Sequence, residues 1–290
     1  MIKLVLTDMD YTLTCPERMQ VSDKALAAIH RLQELGVRFG PASGRDQRDL
    51  TNMFRGHTEC FATGLMSNGK KVFVDGKLIH RVVLDRPALE HLMAALRTMP
   101  GTWLITRSPH GDKACGISRQ DFSKTSWSAD PAIRPLPGLP EWELSTAGIM
   151  WDPDDPAIDG EAVHALADEA APEFHYLSPA PGMLDVLPAG WTKASGVRIL
   201  QEALGLEADE ICAFGDSDND LAMMEYLPNA TAVANANKAV TRASRWHIGS
   251  TFDDAVADAL AELARAAESG GVPSFMRAAG GDQMHACTTS

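Results

Sequence analysis

Ile2-Lys3-Leu4-Val5-Leu6-Thr7, followed at once by Asp8-Met9-Asp10-Tyr11-Thr12, is the stretch whose reading decides the fold class. The first six residues form a short apolar run with β-branched members, the pattern of a strand buried in a parallel sheet. Where the run ends the backbone turns, so two carboxylates spaced two residues apart can enter one crevice at the carboxyl edge of an open sheet. Ligands of such folds bind at that edge. A carboxylate pair there suits a hard cation such as Mg²⁺ and nucleophilic attack on phosphorus. The plainer reading is an Asp-rich turn, because Asp favours turns.

Working outward, strand and helix signals alternate. Val21-Ser22-Asp23 opens an amphipathic stretch from Lys24 to Leu35, and Gly36 stops it. A second strand is predicted over Val37 to Ala42, with Pro41 weakening a central position, and it ends at Ser43-Gly44-Arg45. A helix from Asp46 to about Phe54 precedes a third strand, Cys60 to Met66, that ends at Ser67-Asn68-Gly69. Asp75-Gly76 between apolar runs predicts a β-hairpin. The rhythm resumes with a helix from Thr192-Lys193 to Leu204. A strand follows over Glu210 to Phe214, ending at Gly215-Asp216-Ser217-Asp218-Asn219-Asp220. Then come a helix over Leu221 to Tyr226, a strand over Ala230 to Ala234, a short strand near Trp246 and a helix over Asp253 to Ala267. This alternation predicts an α/β fold built on a parallel sheet.

Between these halves the texture changes. Residues 81–187 hold four of the six tryptophans (Trp103, Trp127, Trp142, Trp151), which read as core residues. Helices near Pro87 to Leu96 and Ile158 to Ala170 and strands near Thr102 to Thr106, Thr146 to Trp151 and Met183 to Leu187 mark a separate α+β insertion. The expected organisation is a core of residues 1–80 and 188–268, an insertion at 81–187 and a tail at 269–290 without periodicity. Composition is that of a globular chain, with 45% hydrophobic and 22% charged residues. A net charge of −13 makes nucleic acid and anionic membranes poor partners, so a phosphate ligand must be drawn by a local site. No apolar stretch reaches spanning length, and no leader pattern precedes position 8. Cys15, Cys60, Cys115, Cys212 and Cys287 are odd in number and never C-x-x-C, which argues against disulfides or a zinc site and for a reduced cytoplasm. The nine histidines form no H-x-H or H-E-x-x-H grouping, so no metal is assigned to them.

Four polar clusters in order, Asp8/Asp10/Thr12, Ser43, Lys193 and Gly215 to Asp220, resemble the four motifs of the haloacid dehalogenase superfamily. The insertion after the third strand, with Ser43-Gly44-Arg45 and Ser67-Asn68-Gly69, is similar to the Cof-type branch (subfamily IIB), which carries a C2-type cap. The resemblance covers about residues 1–80 and 188–260. It implies a Rossmann-like core, an inserted cap that closes over it, and a phosphatase acting on a small phosphorylated metabolite, a sugar phosphate or phosphoglycerate-type ester. A sugar phosphomutase and a non-catalytic metabolite-binding protein are the alternatives, and a monomer or homodimer is expected.

The roles that follow from the resemblance have a physical logic. Asp8 would attack phosphorus. Mg²⁺ would be held by Asp8, the Asp10 carbonyl and Asp216. Lys193, Ser43 and backbone N–H groups near Met9 and Gly44 would bind the transferring oxygens. Asp10 would act as general acid and then base, a role that needs a raised carboxyl pKa. Asp220 would orient Lys193 or metal-bound water, with Thr12 as another supporting group. Arg45, Asn68 and Asn219 are candidate substrate contacts, with ordinary turn chemistry as the other reading of Arg45 and Asn68. Asp218 is either a helix N-cap or a metal or solvent group. Within the insertion, Arg107 to Arg119 is the stretch where His110 and Lys113 could meet an anion. Lys70 and Ala234 depart from the family pattern.

Overall fold

The computed structural model describes residues 1–107 and 111–277. The chain forms two compact units, residues 1–79 with 193 onward, and His80–Thr192. The first strand, β1 (Leu4–Thr7), is buried throughout. Helix α1 (Asp23–Glu34) starts where the Ser22 hydroxyl accepts the Ala25 N–H at 3.0 Å, an N-cap that satisfies one of the orphan donors of the first turn. Its buried residues Ala25, Leu26, Ala28, Ile29 and Leu32 follow helical spacing. After it come β2 (Arg38–Pro41) and α2 (Gln47–Met53).

The strand expected over Cys60 to Met66 is only half a strand. Thr58–Phe61 is a 3-10 turn, and β3 is Gly64–Met66. The strand begins at a glycine that lies against β2: a Cβ on Gly64 would be 2.6 Å from the Pro41 carbonyl oxygen, and its φ is +148°. β3 meets the parallel sheet through a single parallel bridge, Leu65 to Ala42, and pairs antiparallel with β4 (Lys71–Val74), and β5 (Lys77–Arg81) completes a three-stranded sheet. Asp75 (φ 49°) and Gly76 (φ 77°) make the predicted two-residue hairpin turn.

The second unit is a six-stranded sheet carrying helices. Its elements are α3 (Arg86–Leu96), β6 (Trp103–Thr106), β7 (Asp112–Cys115), α4 (Arg119–Phe122), β8 (Ile133–Leu136), β9 (Ala147–Met150), α5 (Gly160–Ala170), β10 (Phe174–Ala180) and β11 (Met183–Pro188). The strand order is β10-β11-β9-β6-β7-β8. Sequence patterning did not anticipate β7, β8 or β10. The last two are edge strands, and both contain a proline, Pro135 and Pro179, which edges tolerate. β10 also breaks register between Leu177 and Ala180. Trp103 is fully buried, edge-on to Phe122 at 5.6 Å, and Trp151 is buried, whereas Trp127 is exposed. Lys113 lies on β7, and His110 falls outside the described residues.

The first unit then resumes with α6 (Lys193–Leu204), β12 (Ile211–Gly215), α7 (Leu221–Tyr226), β13 (Asn229–Ala232), α8 (Lys238–Ala243), β14 (Trp246–His247) and α9 (Ala255–Ser269). Its parallel sheet has the order β14-β13-β12-β1-β2. Pro41 is thus accommodated on the end strand of that sheet. Thr7 is level with both Phe214 of β12 and Pro41 of β2, so the residues following three strands emerge at one edge. Residues 270–277 are described and include a 3-10 turn, Ser274–Met276, whose Phe275 ring lies 6.1 Å from that of Phe214. Residues 278–290 of the expected tail lie outside the described residues. Cys15, Cys60, Cys115 and Cys212 are buried and free. Among the described residues no helix is long and apolar enough to cross a membrane.

Candidate active site

Asp8, the first residue past β1, keeps sheet alignment because its N–H donates to the Phe214 carbonyl at 2.9 Å. Lys193, at the start of α6, donates to Asp8 Oδ1 and to Asp220 Oδ1, each at 2.6 Å. Both Lys193 and Asp220 are essentially inaccessible, whereas Asp8 (5% exposed) and Asp216 (8% exposed) retain an opening. Asp220 Oδ2 accepts the backbone N–H groups of Asp216 (3.0 Å) and Ser217 (3.3 Å), so its carboxylate is fully engaged. Gly215 permits this turn: a Cβ there would lie 2.8 Å from the Asp220 carboxylate and 2.5 Å from Met224 Cε. The Thr12 hydroxyl donates to Asp216 Oδ1 at 2.7 Å, tying the loop after β1 to the loop after β12.

Electrostatics follow from three carboxylates crowded into a buried space. Asp8, Asp216 and Asp220 each offer an oxygen, and these atoms all lie within 4.8 Å of one another. Burial pushes the Asp8 carboxyl well above its ordinary range; Asp220 and Asp216 push the same way, against the pull of Lys193. Asp216 is pushed up to about 7, first by burial and then by the charge of Asp220. Burial alone would lower the Lys193 ammonium, but Asp220 and Asp8 outweigh it and hold the group charged above its ordinary range. One ammonium bonded to two of three carboxylates leaves excess negative charge, which is the donor set and charge that Mg²⁺ requires. Asp220 is committed to its three hydrogen bonds, so Asp8 and Asp216 are the carboxylates with capacity for a cation.

Asp10 is placed apart from this trio. Its carboxylate is gripped by Arg45, with Nε to Oδ2 at 2.9 Å and Nη2 to Oδ1 at 2.7 Å, the bidentate geometry that guanidinium favours. Arg45 was a candidate for substrate contact, and its side chain is here the partner of Asp10. Ser43 Oγ accepts the Arg45 N–H at 3.1 Å, and the Ser43 carbonyl accepts the Asn68 N–H at 2.8 Å. Ser67 and Asn68 both have left-handed backbones (φ 53° and 56°). Such strain, of order 1–3 kcal/mol per residue, collects at functional sites. Gly44 faces Asn68, whose Nδ2 would lie 3.2 Å from an added Cβ. Asn219 donates to Asn68 Oδ1 at 3.3 Å, joining the Ser67-Asn68-Gly69 turn to the fourth cluster. Met9 is buried in the core, and its carbonyl accepts the Thr14 N–H at 2.8 Å and the Thr14 hydroxyl at 2.9 Å. Lys70 is buried as well.

Two supporting residues carried no role in the sequence reading. Asn235 donates to the Tyr11 carbonyl at 2.7 Å and accepts the Thr251 N–H at 2.9 Å, bracing the left-handed turn at Tyr11 (φ 60°). Asn237 donates to Asp218 Oδ1 at 2.7 Å, and its N–H reaches the Asp216 carbonyl at 2.8 Å. The available signal was modest: asparagines one and three residues beyond a strand-terminal Val233-Ala234. Asp218 does not cap α7, whose N-cap position is Asp220.

Among known proteins, residues 5–260 match the profile of the haloacid dehalogenase-like hydrolases. The chain is 25% identical over 271 residues to an Escherichia coli 5-amino-6-(5-phospho-D-ribitylamino)uracil phosphatase, covering 89% of this chain and 95% of that protein. It is 28% identical over 254 residues to the HMP-PP phosphatase of Citrobacter koseri, covering 81% and 85%. A haloacid dehalogenase-like hydrolase from Bacteroides thetaiotaomicron shares the fold at a TM-score of 0.73 and 23% identity, over 91% of this chain and 100% of that one. Strand-end carboxylates around a buried lysine thus sit on a fold and within a sequence profile shared almost end to end, and the chain belongs to the haloacid dehalogenase-like hydrolases, in their Cof-type branch, as a phosphatase.

Proposed function

We propose that this phosphatase is a Mg²⁺-dependent phosphomonoesterase for a small phosphorylated metabolite, a sugar phosphate or a phosphoglycerate-type ester, and that it works through an aspartyl-phosphate on Asp8. The observation that carries the reading is the Lys193 ammonium at 2.6 Å from both Asp8 and Asp220 beside the open Asp216 carboxylate. The phosphoribityl group in the name of the Escherichia coli relative supports a phosphorylated polyol or sugar.

Asp8 forms a bond to phosphorus as the ester P–O bond breaks, and Asp10 delivers a proton to the departing alkoxide. Water then attacks the acyl phosphate, Asp10 takes its proton, and Asp8 is regenerated. Asp8, Asp216 and the Asp10 carbonyl would hold Mg²⁺, which supplies charge neutralisation at the phosphoryl oxygens. Lys193 stays fixed by Asp220 and offers a preorganised positive charge to the same oxygens; removing one such donor costs about 10²–10³ in turnover. Ser43 Oγ and the Gly44 N–H serve as neutral donors. Arg45 keeps the Asp10 carboxylate in one orientation until substrate arrives, and Asp10 then takes up from solvent the proton that it passes to the alkoxide.

The test is phosphate release from a panel of phosphorylated metabolites in Mg²⁺ and in EDTA, wild type beside Asp8→Asn. Release that requires Mg²⁺ and disappears in Asp8→Asn is expected, and full activity of the variant would remove the covalent mechanism. Interconversion of sugar phosphates without phosphate release would instead point to mutase chemistry.

A further inference from the structure

Four residues outside the carboxylate trio converge where α1 meets the 3-10 turn before β3. His30 Nε2 lies 3.1 Å from Glu59 Oε1 and 3.5 Å from Cys60 Sγ. His57 Nδ1 lies 3.1 Å from the same Glu59 oxygen, and the two imidazole rings are 5.4 Å apart. The donor atoms of His30, Glu59 and Cys60 all fall within 4.8 Å of one another.

We propose that His30, Glu59 and Cys60 form a second metal site, selective for a borderline or soft divalent ion of the zinc class, with His57 or water as fourth ligand. Three lines of chemistry support it. Thiolate, imidazole and carboxylate together are the donors that zinc-class ions take, whereas Mg²⁺ takes oxygen alone. With bonds of about 2.0–2.3 Å, tetrahedral ligands sit roughly 3.3–3.7 Å from one another, close to the 3.1 and 3.5 Å that separate His30 Nε2 from Glu59 Oε1 and Cys60 Sγ. The donors are also braced: Cys60 is inaccessible in the core, and Gln33 donates to the Glu59 carbonyl at 2.9 Å, holding the turn against α1. Binding would break the Cys60 S–H bond, form a sulfur–metal bond and release the proton to solvent. The site would staple helix α1 to the segment that leads into β3. It is independent of the carboxylate centre, since no residue is shared.

The experiment strips the full chain with EDTA, fills the carboxylate centre with excess Mg²⁺, and titrates Co²⁺ as the probe. One equivalent is expected to produce the visible bands of tetrahedral cobalt together with a near-ultraviolet thiolate-to-cobalt charge-transfer band. Cys60→Ser is expected to abolish the charge-transfer band. Loss of even an outer partner weakens metal sites by ~10–100-fold, so His30→Gln is expected to weaken Co²⁺ binding at least as much. Mg²⁺-dependent phosphate release is expected to persist in both variants. Absence of the charge-transfer band in the wild type, or its survival in Cys60→Ser, overturns the proposal. If Cys60→Ser does not fold, the half-exposed His30 carries the test, and unchanged Co²⁺ affinity in His30→Gln overturns it equally.

Discussion

Asp216→Asn is expected to make the metal-free protein more stable at neutral pH, although it damages the site. In the folded chain the Asp216 carboxyl is pushed up to about 7, against about 3.9 in an unfolded chain. Between those values the folded state holds a proton that the unfolded state has released, so stability falls as pH rises. The contribution is fully present below about pH 4 and is lost as pH passes through about 7. Three pKa units at about 1.4 kcal/mol each give an effect on the order of 4 kcal/mol. Asparagine removes the buried charge, and its Oδ1 can still accept from the Thr12 hydroxyl, now at 2.7 Å. In EDTA at about pH 8 the variant should therefore exceed the wild type by up to that amount, and at about pH 4 the two should converge. Mg²⁺ at 100 times its Kd narrows the gap, because a ligand at that concentration stabilises the form that binds it by about 2.7 kcal/mol. Trp246 is the one tryptophan of six in the site-bearing unit, so fluorescence would report mainly on the inserted unit. Amide hydrogen exchange of β1 and β12, compared between the two proteins at each pH, reads the relevant opening free energy. A variant less stable than wild type in EDTA at high pH, or a difference that does not change with pH, would refute the reasoning.

Arg45→Gln removes the fork that orients Asp10 and is expected to lower turnover of alkyl phosphates ~10–100-fold. Esters with a stabilised phenolate leaving group, which need little proton donation, should lose far less; equal losses for both would show that Arg45 does not act through Asp10. Gly215→Ala places a Cβ 2.8 Å from the Asp220 carboxylate, and overpacking of this kind costs ~1–3 kcal/mol. It should also displace Asp220 from Lys193, which a higher Mg²⁺ requirement together with an earlier melt would reveal; a melt unchanged from wild type would count against the crowding. Trp103→Ala empties a fully buried position in the inserted sheet and is expected to cost ~3–5 kcal/mol, read as an earlier fluorescence transition while β1 hydrogen exchange stays unchanged.

The strand-end clusters were legible because each is contiguous: an apolar run and the polar residues that terminate it are adjacent in sequence, and a parallel sheet carries such ends to one edge. The hairpin at Asp75-Gly76 and the helix starts at Ser22 and Asp46 were legible for the same reason, being local backbone chemistry. The edge strands β8 and β10 were not, because Pro135 and Pro179 read as breakers until their position at the sheet margin is known. Nor was the close approach of Gly64 to Pro41 where β3 begins, a contact that exists only once the chain is folded.

By itself, the sequence determined which strand ends carry carboxylates and a hydroxyl and which helix opens with a lysine, and hence the family and its class of chemistry. The tertiary structure alone decided who pairs with whom. Arg45 reaches Asp10 across 35 positions, Lys193 reaches Asp8 across 185, and Cys60 meets His30 across 30. Those pairings depend on strand order, register and helix packing. They set the local charge balance around Asp8 and Asp216, whose carboxyls burial raises first and Lys193 pulls back, and no linear pattern encodes them because charge interaction falls with distance in space and is indifferent to separation along the chain.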